Sequence, residues 1–376
     1  MKKNTQIKCF LFVRCKKELA ELTAGSRVYG KFVRATQTWI VTTYLPYDRE
    51  GSQSFRVYAK QPHSCPANKL VLWTNQGRIM AAYRAQKVPI QVITQNDLYS
   101  RTPFDAKEMA HLARQSVAII GLGSGGSKIA VELANAGIQD FVLCDPDILE
   151  LANITRHEAG IFDIGKTKCQ FAAELISRKN PAANITAYAE DIFMSRDIAQ
   201  VNRILKRNLI VAATDRTDAQ LMINEFAYRL KVPCVMGGCY EDARGGEVLY
   251  TLPDHKMPCL ACLRAGLKQP EQLTTIDYST AKGPEDYQGQ PGLHAAIDFV
   301  TSVEIQFSLA ILLRHIPGSR LSSIINPAYN YILIGTATAA GFYRFEKPFE
   351  VFFQRLKGTR QDCPVCGDIW KLLEKP

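Results

Sequence analysis

Residues 117–126, Val117-Ala118-Ile119-Ile120-Gly121-Leu122-Gly123-Ser124-Gly125-Gly126, restrict the fold more than any other stretch. A short apolar run breaks into Gly-x-Gly-x-x-Gly and passes into a helical pattern from Ser127 to Ala134. A strand that ends in a turn suited to glycine, followed at once by a helix, aims bare backbone N–H groups at an anion. The partial positive charge at the helix N-terminus acts at the same point. Asp145 closes the next apolar run, Phe141-Val142-Leu143-Cys144, and lies about twenty residues past the glycines, where a ribose-binding carboxylate is expected. Strand, turn, helix, second strand and acid, in that order, predict a nucleotide seat.

The alternation continues beyond this unit. Apolar runs at Val117–Ile120, Phe141–Cys144, Ile185–Tyr188, Leu209–Ala213 and Val232–Met236 are separated by helical stretches, the pattern of a doubly wound parallel sheet. After Gly245-Gly246 a further run, Glu247–Leu252, leads to a pair of cysteines, a polar stretch from Lys268 to Pro291, and a long apolar helix after Leu293. Two antiparallel strands are predicted at Tyr329–Ile334 and Phe342–Phe345. The expected fold is therefore α/β: a Rossmann-like, mostly parallel sheet with C-terminal antiparallel strands over residues 96–376. Residues 1–95 read as a separate, small mixed α/β domain, with strand-like runs at Ile7–Val13, Trp39–Tyr44, Phe55–Ala59, Leu70–Trp73 and Val88–Ile93. No internal repeat is visible.

Composition narrows the class. The hydrophobic fraction of 47% and charged fraction of 22% are those of a globular protein with a sizeable core. The longest apolar segment, Ala295–Ile316, carries Asp298, Glu304 and Arg314, which argues for a buried helix and against a lipid-facing one. No secretory leader is read in Met1-Lys2-Lys3-Asn4-Thr5 and the charged run after it. Eleven cysteines, an odd number and mostly in apolar runs, fit the reducing cytoplasm. Residues 1–110 hold 18 Lys/Arg against 7 Asp/Glu, whereas the remainder holds 28 against 29, so the net charge of +10 belongs to the N-terminal part. A basic face of this kind recruits an acidic protein partner or is merely solvated; nucleic acid is the weaker reading. His63 and Cys65 sit between Pro62 and Pro66 without a second pair nearby, so no metal is assigned to them.

Cys259-Leu260-Ala261-Cys262 and Cys363-Pro364-Val365-Cys366 form two C-x-x-C clips. Two clips supply four thiolates, a complete tetrahedron for Zn²⁺ with no position left for substrate, so a structural zinc is expected and redox chemistry is the competing reading. The metal would tie the C-terminal tail to the nucleotide domain.

The glycine turn and Asp145 alone would serve a dehydrogenase. Asn153, Arg156 and Lys168 point elsewhere: a triphosphate carries more charge than a pyrophosphate bridge and needs cationic side chains and a divalent ion. Asp215, just past Leu209–Ala213 at the carboxyl edge of the sheet, is placed to hold Mg²⁺. Gly121-Leu122-Gly123-Ser124-Gly125-Gly126, Asp145-Pro146-Asp147, Asn153-Ile154-Thr155-Arg156, Gly165-Lys166-Thr167-Lys168, Ala213-Thr214-Asp215 and the paired clips together resemble the ThiF/MoeB/ubiquitin-activating (E1-like) superfamily, over roughly residues 99–370. The Asn153–Glu158 run is also similar to bacterial ubiquitin-like conjugation systems.

The resemblance implies an ATP-dependent adenylyltransferase acting on the C-terminal carboxylate of a ubiquitin-like β-grasp protein or a peptide. It implies a homodimer in which Arg101 reaches into the partner's site, and a conjugating enzyme or other acceptor downstream. Gly121, Gly123, Gly126, Asp145 and Asp147 would belong to the nucleotide site, Asn153, Arg156 and Lys168 would hold the phosphates, and Asp215 the magnesium. Activation of a sulfur-carrier protein or ribosomal peptide, or a non-catalytic nucleotide-binding scaffold, are the alternatives. The chain departs from thioester-forming members between Leu263 and Leu293, where it has no cysteine; Gln288 falls about where the nucleophile is expected. Cys239, in Met236-Gly237-Gly238-Cys239-Tyr240, is the substitute candidate, with core packing as its simpler role. Cys144 and Cys169 are read as core residues. Arg216, after Asp215, is read as contacting the substrate tail or pairing with Asp218.

Overall fold

The computed structural model describes residues 7–13, 16–43, 53–64, 66, 69–194, 197–240, 242–255, 257–266, 292–340, 343–356 and 358–367. The polar stretch Lys268–Pro291, with Gln288, and Cys65 of the His63–Cys65 pair lie outside them. The chain divides into two compact units, Met1–Pro103 with Ser177–Ala182, and Phe104–Ile176 with Ala183–Pro376.

In the first unit the elements run β1 (Lys8–Val13), α1 (Lys16–Glu21), β2 (Arg27–Val33), β3 (Thr38–Thr42), β4 (Gln53–Tyr58), β5 (Leu70–Asn75), β6 (Arg78–Tyr83), β7 (Gln86–Val88), β8 (Ile90–Thr94) and α2 (Gln95–Leu98). Among the described residues the strands form one sheet of order β7-β6-β5-β4-β2-β3-β1-β8, so this unit is mainly strand rather than evenly mixed. Its core gathers on Trp39, which is 1% exposed and meets Phe55 and Tyr83 at ring-centroid distances of 5.4 and 5.5 Å. Strands β2 and β6 were not expected from the sequence. Arg27, Gly30 and Lys31 interrupt the apolar alternation of the first, and Arg78 opens the second beside the turn at Gln76-Gly77.

The second unit contains α3 (Ala106–Leu112), β9 (Ser116–Ile120), α4 (Ser124–Asn135), β10 (Asp140–Cys144), α5 (Lys168–Lys179), β11 (Asn184–Tyr188), α6 (Ile198–Leu205) and β12 (Leu209–Ala212). Then follow α7 (Thr217–Leu230), β13 (Cys234–Tyr240), β14 (Gly245–Thr251), α8 (Leu260–Gly266), α9 (His294–Leu313), β15 (Tyr331–Gly335), β16 (Ala339–Ala340), β17 (Tyr343–Arg344) and β18 (Glu350–Gln354). The sheet order is β11-β10-β9-β12-β13-β14-β15-β18. Pairing is parallel from β11 to β13 and antiparallel from β13 to β18.

Strands β9, β10 and β12 are largely buried apolar runs because helices cover both faces, whereas β11 at the sheet edge is polar and largely exposed. One face buries Ile129 and Leu133 of α4, Ala172 and Ile176 of α5 and the stripe of α9 from Val300 to Leu312. The other buries Val201 and Ile204 of α6, Ile223 and Ala227 of α7 and Leu260 of α8. Alternation along β9 divides its side chains between the two: Val117 and Ile119 on the first, Ala118 and Ile120 on the second. Chain order reverses between β9 and β12, and the crevice beyond their carboxyl ends is where such sheets bind ligands. Helix α9 is long and apolar enough to cross a membrane by length and composition, yet it packs on α4, β13 and β14 inside the core. Of the strand expected at Phe342–Phe345, Phe342 lies outside the described residues and Tyr343–Arg344 form β17, paired with β16 outside the main sheet; the last strand of the main sheet is β18.

Candidate nucleotide and metal sites

The phosphate seat is built by the glycines at the reversal point. Gly121 has φ +90°, and a Cβ there would lie 2.6 Å from the Ala213 carbonyl oxygen on the neighbouring crossover. A Cβ on Gly126 would come within 2.0 Å of the Gly121 carbonyl oxygen, so the first turn of α4 can close onto the strand only because that position is bare. Gly123, the residue preceding α4, opens on free space and offers no side chain to the helix N–H groups. Unfilled donors facing open space at a helix N-terminus are the requirement for holding a phosphate. Gly126→Ala is expected to lower the melting temperature by the equivalent of about 1–3 kcal/mol and to abolish the further rise that Mg-ATP gives the unsubstituted protein. A thermal melt with and without Mg-ATP checks it; an unchanged nucleotide shift would contradict this role for the loop.

Asp145 is 5% exposed and locks the loop to the end of β10. Its Oδ2 accepts from the Leu122 N–H at 2.6 Å and its Oδ1 from the Asp147 N–H at 2.9 Å. Each carboxylate oxygen has a second acceptor site, so these bonds leave capacity for ribose hydroxyls. Burial raises the Asp145 pKa, opposed by Lys168 and the two backbone donors.

Lys168 gathers the acids. Its Nζ lies 2.6 Å from Asp147 Oδ2 and 3.9 Å from Asp145 Oδ1. Burial works against the ammonium, but Asp145, Asp147 and Asp215 outweigh it and hold its pKa above the ordinary lysine value. The carboxyl of Asp215 is itself raised, first by desolvation, while Lys168 and Arg156 act to lower it and Asp147 to raise it. Asp145, Asp147, Asp215, Lys168 and Arg156 thus share one electrostatic field at the mouth of the glycine turn. Three acids against two bases leave negative charge that a divalent cation would balance, and an all-oxygen donor set suits Mg²⁺.

The remaining predicted residues are placed differently. Asn153 Oδ1 accepts from the Glu150 N–H at 2.8 Å and shapes the 3₁₀ turn Leu151–Arg156, which carries Arg156, half-buried. Lys166 bonds Asp163 and Glu174 at 3.0 and 2.7 Å, so Lys168 alone of that lysine pair joins the cluster. Arg216 pairs with Asp218 at 2.6 Å and Asp191 at 3.0 Å. Arg101 is exposed in the turn after α2, in the first unit, and is not carried by the elements that build this cluster. Cys239 lies in β13 and is exposed; Cys144 and Cys169 are buried in the core.

Two supporting residues escaped the sequence reading. His157 accepts at Nδ1 from the Ala159 N–H, which leaves Nε2–H to donate to the Leu122 carbonyl at 2.9 Å, clamping the glycine loop from below. Gln220 Nε2 donates to the carbonyls of Thr214 and Gly237 at 2.9 and 3.2 Å, tying the Asp215 turn to β13. The neighbouring His157-Glu158 pair inside the Asn153 run was the only signal for the first; the second had none.

Cys259, Cys262, Cys363 and Cys366 converge, with all four sulfurs within 4.8 Å of one another. Cys259 and Cys363 sulfurs are 3.6 Å apart, and those of Cys262 and Cys366 3.3 Å. A tetrahedral zinc with Zn–S bonds of about 2.3 Å separates its sulfurs by about 3.8 Å, so the four thiols fit such an ion. A second trio, Glu158, His294 and Asp298, is already crossed by Lys128, whose Nζ lies 3.4 Å from Glu158 and 3.6 Å from Asp298. That ammonium occupies the place of a metal.

The ThiF family profile matches residues 97–347, two thirds of the chain and the whole of the nucleotide cluster. The chain belongs to the ThiF family. Among ThiF-related proteins, it is 26% identical over 219 residues to ubiquitin-like modifier-activating enzyme 5 of Caenorhabditis elegans, covering 54% of this chain and 52% of that enzyme. It is 26% identical over 162 residues to the sulfur carrier protein ThiS adenylyltransferase of Escherichia coli, covering 43% of this chain and 62% of that one. The chain thus spans about half the length of the curated relatives it matches. A crystal structure of E. coli MccB with AMPCPP and MccA shares the fold, at 19% identity and a TM-score of 0.54, over 73% of this chain and 75% of that one.

Proposed function

We propose that this ThiF-family chain is an ATP-dependent adenylyltransferase that activates the C-terminal carboxylate of a ubiquitin-like protein for transfer to a conjugating partner or other acceptor. The observation that carries this reading is the convergence of Lys168, Arg156 and three aspartates on an open glycine turn. Nicotinamide chemistry has no need of that charge, and relatives named as activating enzymes and adenylyltransferases support the same reading.

In this mechanism the substrate carboxylate, already ionised, attacks the α-phosphorus and pyrophosphate leaves, so no general base is required. Lys168 and Arg156 offset the negative charge that accumulates on the phosphates. The α4 N-terminus orients them, and Asp145 holds the ribose edge while fixing the loop through Leu122. Asp215, with Asp147, would hold a magnesium ion, whose chemistry is to neutralise phosphate charge. The four cysteines would hold zinc as a structural clasp. Residues 1–95 are assigned recruitment of the substrate or partner, and a cytoplasmic setting suits the free thiols.

A homodimer, with Arg101 completing the partner's site, is part of the proposal. Leu151, Ile161, Phe162 and Ile164 are 69%, 61%, 98% and 43% exposed and flank the turn that carries Arg156. Apolar groups so concentrated beside a functional turn support an interface there. Phe162→Asp is expected to convert the dimer to monomer by light scattering and to lower adenylation by about tenfold or more; a dimer unaffected by the change removes this surface from the assembly.

A second reading, activation of a sulfur-carrier protein or a ribosomal peptide, is favoured by the absence of cysteine between Leu263 and Leu293 and by the relative named as a sulfur carrier protein adenylyltransferase. Purified protein incubated with labelled ATP and a panel of ubiquitin-like proteins, sulfur carriers and short peptides separates the two. AMP transfer to a ubiquitin-like member is expected; transfer confined to the other classes moves the assignment to them.

A further inference from the structure

In the first unit, strands β1 to β8 carry six lysines and arginines, Lys8, Arg27, Lys31, Arg56, Arg78 and Lys87, and no aspartate or glutamate. All six are exposed. Side chains alternate along a strand, and the core around Trp39 takes Cys9 of β1, Val28 of β2, Phe55 of β4, Ala81 of β6 and Val88 of β7. Each cation stands an odd number of residues from the core residue of its own strand, so all six lie on the opposite face of the sheet. The acids of residues 1–95 are elsewhere. Glu18 and Glu21 belong to α1, where Glu18 accepts from the Thr43 hydroxyl and Glu21 pairs with Lys17, while Asp48 and Glu50 lie outside the described residues.

Rings are interleaved with these cations. Along β2 the order on this face is Arg27, Tyr29, Lys31, with about 7 Å between successive side chains. Arg56 stands directly opposite Arg27 in the antiparallel pair, and Tyr58, 49% exposed, follows two residues on. Lys31 is opposite Ile40, 46% exposed, which in turn is opposite the half-buried Phe10 of β1. Two guanidinium groups set directly across a ladder repel each other, so the sheet is destabilised there until an anion sits between them. From β7 to β1 the charged face crosses six strand-to-strand spacings, about 29 Å at about 4.8 Å each.

On net charge alone an acidic protein is the stronger reading and nucleic acid the weaker; the placement of the charge reverses that order. Protein surfaces mix both signs, so a face complementary to one includes carboxylates among its cations. A nucleic acid is negative at every phosphate, and its bases stack on exposed rings between those contacts. A duplex hides the faces of its bases and offers grooves suited to a helix or a two-stranded ribbon, whereas this face is a broad sheet. We infer that the basic face of the first unit binds single-stranded nucleic acid, its arginines and lysines meeting phosphates while Tyr29 and Tyr58 stack on bases. The second unit keeps its own nucleotide site, and this binding does not depend on the adenylation reading.

The test titrates full-length protein into a fluorescein-labelled single strand of mixed sequence, about 16 nucleotides long, and follows anisotropy over a range of salt concentrations. Saturable binding is expected. The logarithm of affinity should fall linearly with the logarithm of salt concentration, with a slope of about −0.7 for each phosphate met and about −4 when all six cations engage. Arg27→Gln combined with Arg56→Gln should make that slope shallower by about 1.4, whereas lysine at both positions, which keeps the charge, should retain it. The two arginines are exposed and repel one another, so the double glutamine variant should melt no lower than the unsubstituted protein. Tyr58→Ala should weaken binding about tenfold with the slope unchanged, a split that a merely structural lesion would not produce. No binding at low salt, or an unaltered affinity and slope in the double glutamine variant, overturns the inference. So does a duplex of the same sequence that binds as tightly as the single strand. Displacement by polyglutamate as efficient as by unlabelled single strand would also overturn it and give the face to an acidic protein.

Discussion

Lys168→Ala is expected to lower ATP–pyrophosphate exchange by about 10²–10³-fold, the scale seen when one preorganised electrostatic contact to a developing charge is removed. Lys168 touches two of the three aspartates, and it is held there by the main chain as well: its own N–H donates to the Asp147 carbonyl at 3.0 Å. Its loss does two things at once. The phosphates lose a fixed positive charge, and Asp145 and Asp147 repel the incoming nucleotide with nothing between them. Part of the effect will appear as stability, because Asp145 is buried and its charge then rests on two backbone donors alone. A melt run beside the exchange assay separates the two. Lys168→Arg, which keeps the charge but not the compact ammonium geometry, should recover part of the rate. Full exchange in Lys168→Ala would dismiss the charge cluster as the catalytic feature.

The second large effect concerns the cysteine clasp. Metal analysis is expected to find one zinc per chain, and Cys363→Ser, or a strong chelator, should destabilise the second unit by several kcal/mol. Zinc sites in small peptides contribute on the order of 10 kcal/mol to folding. Cys259 and Cys363 are 0% and 1% exposed, so an uncompensated set of thiols would remain buried between α8 and the C-terminal segment. In a unit of this size several kcal/mol corresponds to a fall of about 10 °C or more in melting temperature. The thiols must be deprotonated to bind, so the ion should be released as pH falls. The absence of zinc, with an unaltered melt in Cys363→Ser, would reassign the clips to redox chemistry.

The parts of the fold that were legible in the sequence are those where one local rule acts alone. The strand–glycine–helix unit at Val117–Ala134 announces itself because the turn needs bare Cα atoms and the flanking strand is covered on both faces, so its run is uniformly apolar. The parallel strands β10, β12 and β13 are readable for the same reason. Strand β18, Glu350–Gln354, was not expected because it lies at the sheet edge, with Glu350, Val351 and Phe353 partly exposed and no clean alternation. In the first unit, Gly30 and Lys31 hide β2 by looking like a turn.

The site divides in the same way. Asp145, Lys168 and Asp215 follow from spacing relative to strand ends, which the sequence carries. The bond from Leu122 to Asp145, the tautomer of His157 and the bridge made by Gln220 depend on distances between segments far apart in the chain. Glu304 was visible as a charge in an apolar helix, but its seat against Gly237 is a juxtaposition no local pattern encodes.

The central claim is that this chain uses ATP to activate a carboxylate, and pyrophosphate exchange measures that step directly. Labelled pyrophosphate should enter ATP only when magnesium and a small protein or peptide with a free C-terminal carboxylate are both present. The same substrate with its C-terminus amidated should be inert, as should Asp215→Ala enzyme. Exchange that ignores the C-terminus, or none at all despite tight and saturable binding of Mg-ATP, would contradict the account and leave a nucleotide-binding scaffold in its place.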